Sequence, residues 1–182
     1  MAMFALEHSR KAYVIDFAVI VGANLVLLAL LLANNPVHRW WSLIGYVFSG
    51  ALLWTPLEYV LHRFVLHGLA PFKMWHQLHH ERPFALIYTP TQFIVIAFLV
   101  LVYMPLWALT SMWVAVALTL GLTSGYLLYS TAHHALHHWV PWNAWFMREK
   151  VRHARHHVST NHVVAFGVTT SIWDKVFGTE NE

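Results

Sequence analysis

At 182 residues the chain has the length of one domain, yet 58% hydrophobic against 10% charged residues is not the balance of a soluble protein. The absence of cysteine excludes disulfides, thiolate metal sites and a cysteine nucleophile, so any metal must be held by nitrogen or oxygen. A formal charge of +3 without a basic stripe interleaved with exposed aromatics argues against nucleic acid and leaves the positive charge as a topology signal.

Met1 to Lys11 is short and amphipathic and leads into an apolar run over 12–33, about as long as a bilayer span. That run lacks a small-residue cleavage site and is followed by further spans, so it reads as a mature helix rather than a signal peptide. Asp16, near its start, reads as an interfacial residue rather than a proton relay. Asn34-Asn35-Pro36 breaks the helix, and Trp40-Trp41 anchor a second span over 41–61, with Thr55-Pro56 suggesting a kink near its end. A third span is placed at 91–104, a tight turn at 105–111 and a fourth span at 112–130, both spans being short for about 30 Å of hydrocarbon. A re-entrant hairpin is the alternative for this pair. Trp139 to Arg155 is aromatic and basic and reads as a helix against the membrane surface, and 166–179 closes the chain.

Four spans put Arg10, Lys11, Arg63, Lys73, Arg82, Arg148, Lys150, Arg152, Arg155 and Lys175 on one side and only Arg39 on the other. Such asymmetry makes the first side cytoplasmic. The fold expected is therefore all-α: a single integral membrane domain over 1–182, with four transmembrane helices and a cytoplasmic, helical, histidine-rich cap. The membrane would be the cytoplasmic (inner) one in a bacterium and the endoplasmic reticulum in a eukaryote.

That cap is where the histidines are. Twelve of fifteen fall in two windows, 58–80 and 132–157, each following an apolar segment, and only His8, His38 and His162 lie outside. Those three read as surface or interfacial histidines. The windows carry H-x4-H, H-x-x-H-H, H-x3-H and H-x-x-H-H, which together read as a polyhistidine site for two metal ions, because several imidazoles must converge on each ion. On a helix His76 and His80 share a face, as do His133 and His137, with His79 nearly aligned with His76; His153, His156 and His157 repeat the pattern. His62 and His67, five apart, match an α-helical stripe poorly, so either the helix distorts there or the two serve different ions. His134 and His138 form a competing i, i+4 pair that spacing alone does not separate from His133 and His137. Ten ligands over two ions give about five each, leaving one position free on an ion of octahedral preference.

The order of these motifs resembles the fatty acid hydroxylase and sterol desaturase superfamily of membrane oxygenases. Glu58-Tyr59-x-x-His62-Arg63-Phe64-x-x-His67, Phe166-Gly167-Val168-Thr169 and Trp173-Asp174-Lys175-Val176-Phe177-Gly178-Thr179 are most similar to its fatty acid 2-hydroxylase branch. The resemblance implies as metal ligands His62, His67, His76, His79, His80, His133, His137, His153, His156 and His157, choosing the 133/137 pair because its first histidine follows Tyr129 by four. It implies O2 activation at a reduced dimetal centre, hydroxylation of a lipid acyl chain at carbon 2, and an external electron donor protein, since the fused haem-containing donor domain of many eukaryotic members has no counterpart in this sequence. Iron is expected for activity and zinc is compatible with the same nitrogens. Neutral imidazoles leave the ions' charge uncompensated and favour the divalent state. Glu58 and Asp174, with Glu149 behind them, are the carboxylates able to orient ligand ring N–H groups. Ser130 stands where the family usually has an aspartate after the tyrosine, which removes a carboxylate from that position.

Two other readings compete. One is a desaturase, or a sterol or carotenoid hydroxylase, of the same superfamily. The other is a histidine-rich metal-binding or metal-transporting membrane protein, disfavoured because transport places ligands near the bilayer midplane and these histidines lie beyond the span ends.

Overall fold

Backbone N–H and C=O groups in hydrocarbon must be satisfied within the chain, and long apolar runs meet this demand as helices. The computed structural model describes residues 7–34, 39–87, 89–158 and 165–180, and these are nearly all helical. In order they form α1 (Arg10–Asn34), α2 (Trp40–Val60), a π-helical turn at Leu61–Leu66, α3 (Phe72–Glu81), α4 (Thr91–Ala97), a π-helical turn at Phe98–Tyr103, α5 (Met104–Leu109), α6 (Met112–His138), α7 (Ala144–Val158) and α8 (Ile172–Val176). Asn35 and Pro36 of the expected break, His38 and His162 lie outside the described residues.

Four stretches are long and apolar enough to cross a membrane: Arg10–Ala33, Trp40–Leu66, Thr91–Leu109 and Met112–His138. The protein is a multi-pass membrane protein. Large apolar side chains such as Val14, Ile15, Leu25 and Leu101 face outward, as expected where lipid is the solvent. The third stretch corrects the sequence reading, which ends it at Met104 and starts a turn at Pro105. Pro105 instead lies in the first turn of α5, where the pairing changes from π to α and a missing N–H costs little, and the turn comes at Thr110 and Ser111. The helix also runs on through Pro56 to Val60.

The described contacts fall into two compact units, 1–54 with 88–127 and 55–87 with 128–182. In the first, Leu31, Leu43, Val116, Ala117 and Leu120 form a buried cluster. Polar side chains pin it: Thr123 and Ser124 hydroxyls donate to Asn24 Oδ1 at 3.0 and 2.9 Å. Asp16 accepts from Thr91 Oγ1 and pairs with His8 Nδ1, a structural role for a residue inside a span.

Where α2 meets α6 the backbones nearly touch. A Cβ on Gly121 would sit 2.1 Å from the Val47 carbonyl and 2.9 Å from Gly50 Cα, and one on Gly50 would sit 2.4 Å from the Leu118 carbonyl. Small residues at such crossings let membrane helices pack by van der Waals contact. Gly121→Leu is expected to cost about 1–3 kcal/mol or more through overpacking, read as a lower thermal midpoint in detergent. An unchanged midpoint would remove this contact from the list of what holds the unit.

The second unit holds both histidine windows. Its core of Ala135, Leu136, Phe146 and Val168 joins the end of α6 to α7 and to the 165–169 segment. Asn143 caps α7 by accepting from Phe146 N–H at 2.7 Å, and Lys150 Nζ caps α6 by donating to the Trp139 carbonyl at 2.9 Å.

Candidate metal centre

An α-helix brings i and i+4 to one face but puts i+5 most of a half-turn away. H-x4-H therefore needs a wider helix, and the chain supplies one: the π-helical turn contains the His67 N–H to His62 carbonyl bond, i to i+5, at 3.1 Å. This settles the alternative left open above, because both rings now face one point. The helix distorts, and the pair does not split.

The ten expected histidines come together in two groups of five. The first is His62, His67, His76, His80 and His156; the second is His79, His133, His137, His153 and His157; within each group one nitrogen from every ring lies within 4.8 Å of the others. Each H-x-x-H-H helix serves both groups. In α3 the i and i+4 residues His76 and His80 join the first and His79 joins the second; in α7 His153 and His157 join the second and His156 the first. The i+3 side chain diverges from the i, i+4 stripe, so one helical turn feeds two points. His134 and His138 stack on one another, centroids 4.5 Å apart, outside both groups.

The facing atoms are Nε2. In the first group His76 Nε2 lies 2.9 Å from His62 Nε2 and 3.1 Å from His80 Nε2, and His67 and His156 approach at 3.2 Å. In the second, His133 Nε2 lies 3.1 Å from His79 and 3.2 Å from His137, and His153 lies 2.8 Å from His137 and 3.2 Å from His157. A neutral imidazole has one proton, so one Nε2 cannot pair with two facing Nε2 atoms without a repulsive contact; a shared cation relieves them all. Nitrogens bound at about 2.1 Å and about 90° apart are about 3.0 Å from each other, against about 3.4 Å for tetrahedral ligands. The spacing thus fits nitrogens gathered around a cation in each group.

Among the residues outside the spans, burial pushes the His67 and His80 imidazoles down to about 4, helped at His67 by neighbouring His80 and Lys73 and opposed at His80 by a hydrogen bond to the His157 backbone. Burial holds His76, His79, His153 and His157 well down too, with the nearby histidines adding to the effect. All are therefore neutral near pH 7, the form that binds metal.

Glu58 and Asp174 hold the backbone of the Phe166–Thr169 run beside the ligands. His62 Nδ1 donates to the Phe166 carbonyl at 2.5 Å. Buried Glu58 accepts through Oε1 from the Val168 and Thr169 N–H groups at 2.6 and 2.9 Å and through Oε2 from the Thr169 hydroxyl. Fully buried Asp174 accepts from the Phe166 and Gly167 N–H groups at 2.8 and 2.9 Å. Arg152 bridges Glu149, at 2.7 Å, and Asp174, at 3.3 Å. Lys175 lies 3.8 Å from Glu180. The sequence reading missed Phe166, whose carbonyl holds His62 and whose ring packs on His62, His67 and His156 with centroids 5.9, 5.5 and 5.7 Å away. The only signal was its place in the Phe166–Thr169 run.

Residues 47–179 match the family model for fatty acid hydroxylase. A dihydroceramide fatty acyl 2-hydroxylase of Arabidopsis thaliana is 36% identical over 152 residues, covering 75% of this chain and 61% of the relative. The ceramide very long chain fatty acid hydroxylase of Saccharomyces cerevisiae is 35% identical, over 71% of this chain and 36% of the relative, and the fatty acid 2-hydroxylase of Rattus norvegicus 32%, over 75% and 39%. The chain thus spans about three fifths of the plant relative and less of the others. Among solved structures, full-length scs7p, of which only the hydroxylase domain is visible, superposes with a TM-score of 0.75 at 27% identity, covering 97% of this chain and 68% of that one. The chain belongs to the fatty acid hydroxylase family.

Proposed function

We infer that the chain is a membrane lipid acyl hydroxylase that acts at carbon 2, takes O2 and electrons from an external donor protein, and uses the ten histidines to hold two metal ions, iron in the active state. The observation that carries this reading is the pair of five-histidine groups, in each of which one nitrogen per ring lies within 4.8 Å of the others. The plant relative, a dihydroceramide fatty acyl 2-hydroxylase, and the rat relative, a fatty acid 2-hydroxylase, support the substrate class and the carbon.

When bound, the ions supply the redox chemistry that lets O2 react with an unactivated C–H bond. One oxygen atom enters that bond as hydroxyl, and the other leaves as water with two electrons and two protons from the donor side. The chain's own part is placement. Neutral, desolvated imidazoles present Nε2 lone pairs without taking up protons, and Phe166 shields His62, His67 and His156 from water with its ring. Position along the spans favours carbon 2. His62 lies in the last two turns of the second span and His133 and His137 in those of the fourth, so the groups sit near head-group depth, close to a carbon next to a carboxyl or amide.

Lipid mass spectrometry tests the reaction. Cells expressing the chain should accumulate acyl lipid heavier by one oxygen, placed at carbon 2 by fragmentation and derived from labelled O2. A product lighter by two hydrogens would replace the hydroxylase with a desaturase. Orientation is tested separately: cysteine placed at Asn35 should be labelled from outside intact cells and cysteine at Thr179 should not, and the reverse pattern would invert the topology. Alanine at His133 or His137 should abolish activity and lower metal content, while alanine at His134 or His138 should leave most of both. Equal loss from the two pairs would mean that the stacked pair also binds.

A further inference from the structure

Four successive N–H groups, from Phe166 to Thr169, are taken by two buried carboxylates, and one peptide in that run is bonded at both ends. The Gly167 N–H donates to Asp174 Oδ2 at 2.9 Å, while the carbonyl of the same peptide, Phe166 O, accepts from His62 Nδ1 at 2.5 Å. A negative charge on the N–H side of an amide polarises it and strengthens its carbonyl as an acceptor. A stronger acceptor at Nδ1–H in turn fixes the imidazole's tautomer and makes Nε2 a better donor to a cation.

The linkage is built tightly. A Cβ on Gly167 would stand 2.1 Å from the Thr170 carbonyl and 2.9 Å from Asp174 Oδ2, so only glycine lets the carboxylate reach the peptide. Arg152 Nη1 and the Thr179 hydroxyl hold the carboxylate from its other sides, at 3.3 and 2.8 Å. Nothing equivalent serves the second group at two of its members. His79 Nδ1 and His157 Nδ1 are buried without a hydrogen-bond partner among the described residues.

We propose that Asp174 is a positioning residue that acts on His62 through the Phe166–Gly167 peptide, and that the two five-histidine groups in consequence hold their ions with unequal strength, the first more tightly. The relay does through one amide what a carboxylate does when bonded directly to a metal-binding imidazole. The proposal rests on the reading that the ten histidines hold two ions.

The test is a zinc titration of the full chain, purified in detergent and stripped with a chelator. Wild type should take up two equivalents in steps at least about tenfold apart, since removing such outer partners costs about ten- to a hundredfold in affinity. In Asp174→Asn, which keeps the side chain's size but cannot accept from both N–H groups, the tighter step should weaken by about ten- to a hundredfold. The weaker step should stay where it was, which a general loss of structure would not allow. Assignment comes from single-group variants: His157→Ala should retain the tight step and His80→Ala the weak one. Should Asp174→Asn not be recovered, the wild-type steps and the two alanine variants still decide. Equal steps in wild type, an unmoved tight step in Asp174→Asn, equal weakening of both steps, or the reverse assignment would each overturn the proposal. Two equal steps would leave the two-metal reading standing, whereas fewer than two equivalents would overturn both.

Discussion

Alanine in place of His80 or of His157 is expected to remove one metal equivalent in each case and to abolish lipid hydroxylation. His80 lies in the first group and His157 in the second, so the two variants empty different positions. Structural zinc binds histidine and thiolate sets with about 10–16 kcal/mol shared over four ligands, or about 3 kcal/mol for each. Losing one of five then weakens an ion by roughly two powers of ten. The remaining four nitrogens cannot close around the gap, because each ring is held by helix geometry and packing rather than by a loop free to move. His80 and His157 also stack, centroids 4.2 Å apart, so each truncation removes a wall from the other's ring. Metal analysis after gel filtration checks this. Two equivalents retained in both variants would sink the two-metal reading.

Acid should destabilise the metal-free protein across a defined window. In the unfolded chain the imidazoles titrate at about 6.5, whereas His67 and His80 are held down to about 4 and His76, His79, His153 and His157 are also lowered, chiefly by burial. Between those values the unfolded state binds more protons than the folded one. Stability is therefore full above about pH 6.5 and falls as the pH drops toward 4. The thermal midpoint of stripped protein should fall clearly from pH 7.5 to pH 5. Metal-loaded protein should hold its midpoint to lower pH, because protons must displace the ions first. A stripped protein as stable at pH 5 as at pH 7.5 would mean that the histidines are not desolvated as described.

Much of this was legible in the sequence because two strong periodic signals carry it. Apolar runs gave the spans, and the i, i+4 spacings of 76/80, 133/137 and 153/157 gave three of the four ligand pairs. Choosing 133/137 over 134/138 needed the resemblance, since both pairs share spacing and differ only in which face of α6 they occupy. Two features lay beyond a reading built on 3.6 residues per turn. The wide turn at 61–66 is visible only as an odd spacing at His62 and His67, and Pro105 looks like a helix end unless the preceding turn is known to be wide as well. The backbone targets of Glu58 and Asp174 were hidden for another reason: Glu58 meets Val168 and Thr169 across more than a hundred residues, and no local pattern says that a carboxylate will bind that stretch.

The exchange of His79 and His156 between the groups has a consequence for how the protein is made. A nascent chain that has emerged only as far as α6 carries four members of the first group but lacks His156, and has only His79, His133 and His137 of the second. Both groups become complete only when α7 folds back onto α3. Metal loading would thereby wait until α7 has been made, and a chain that stalls before α7 carries neither group complete.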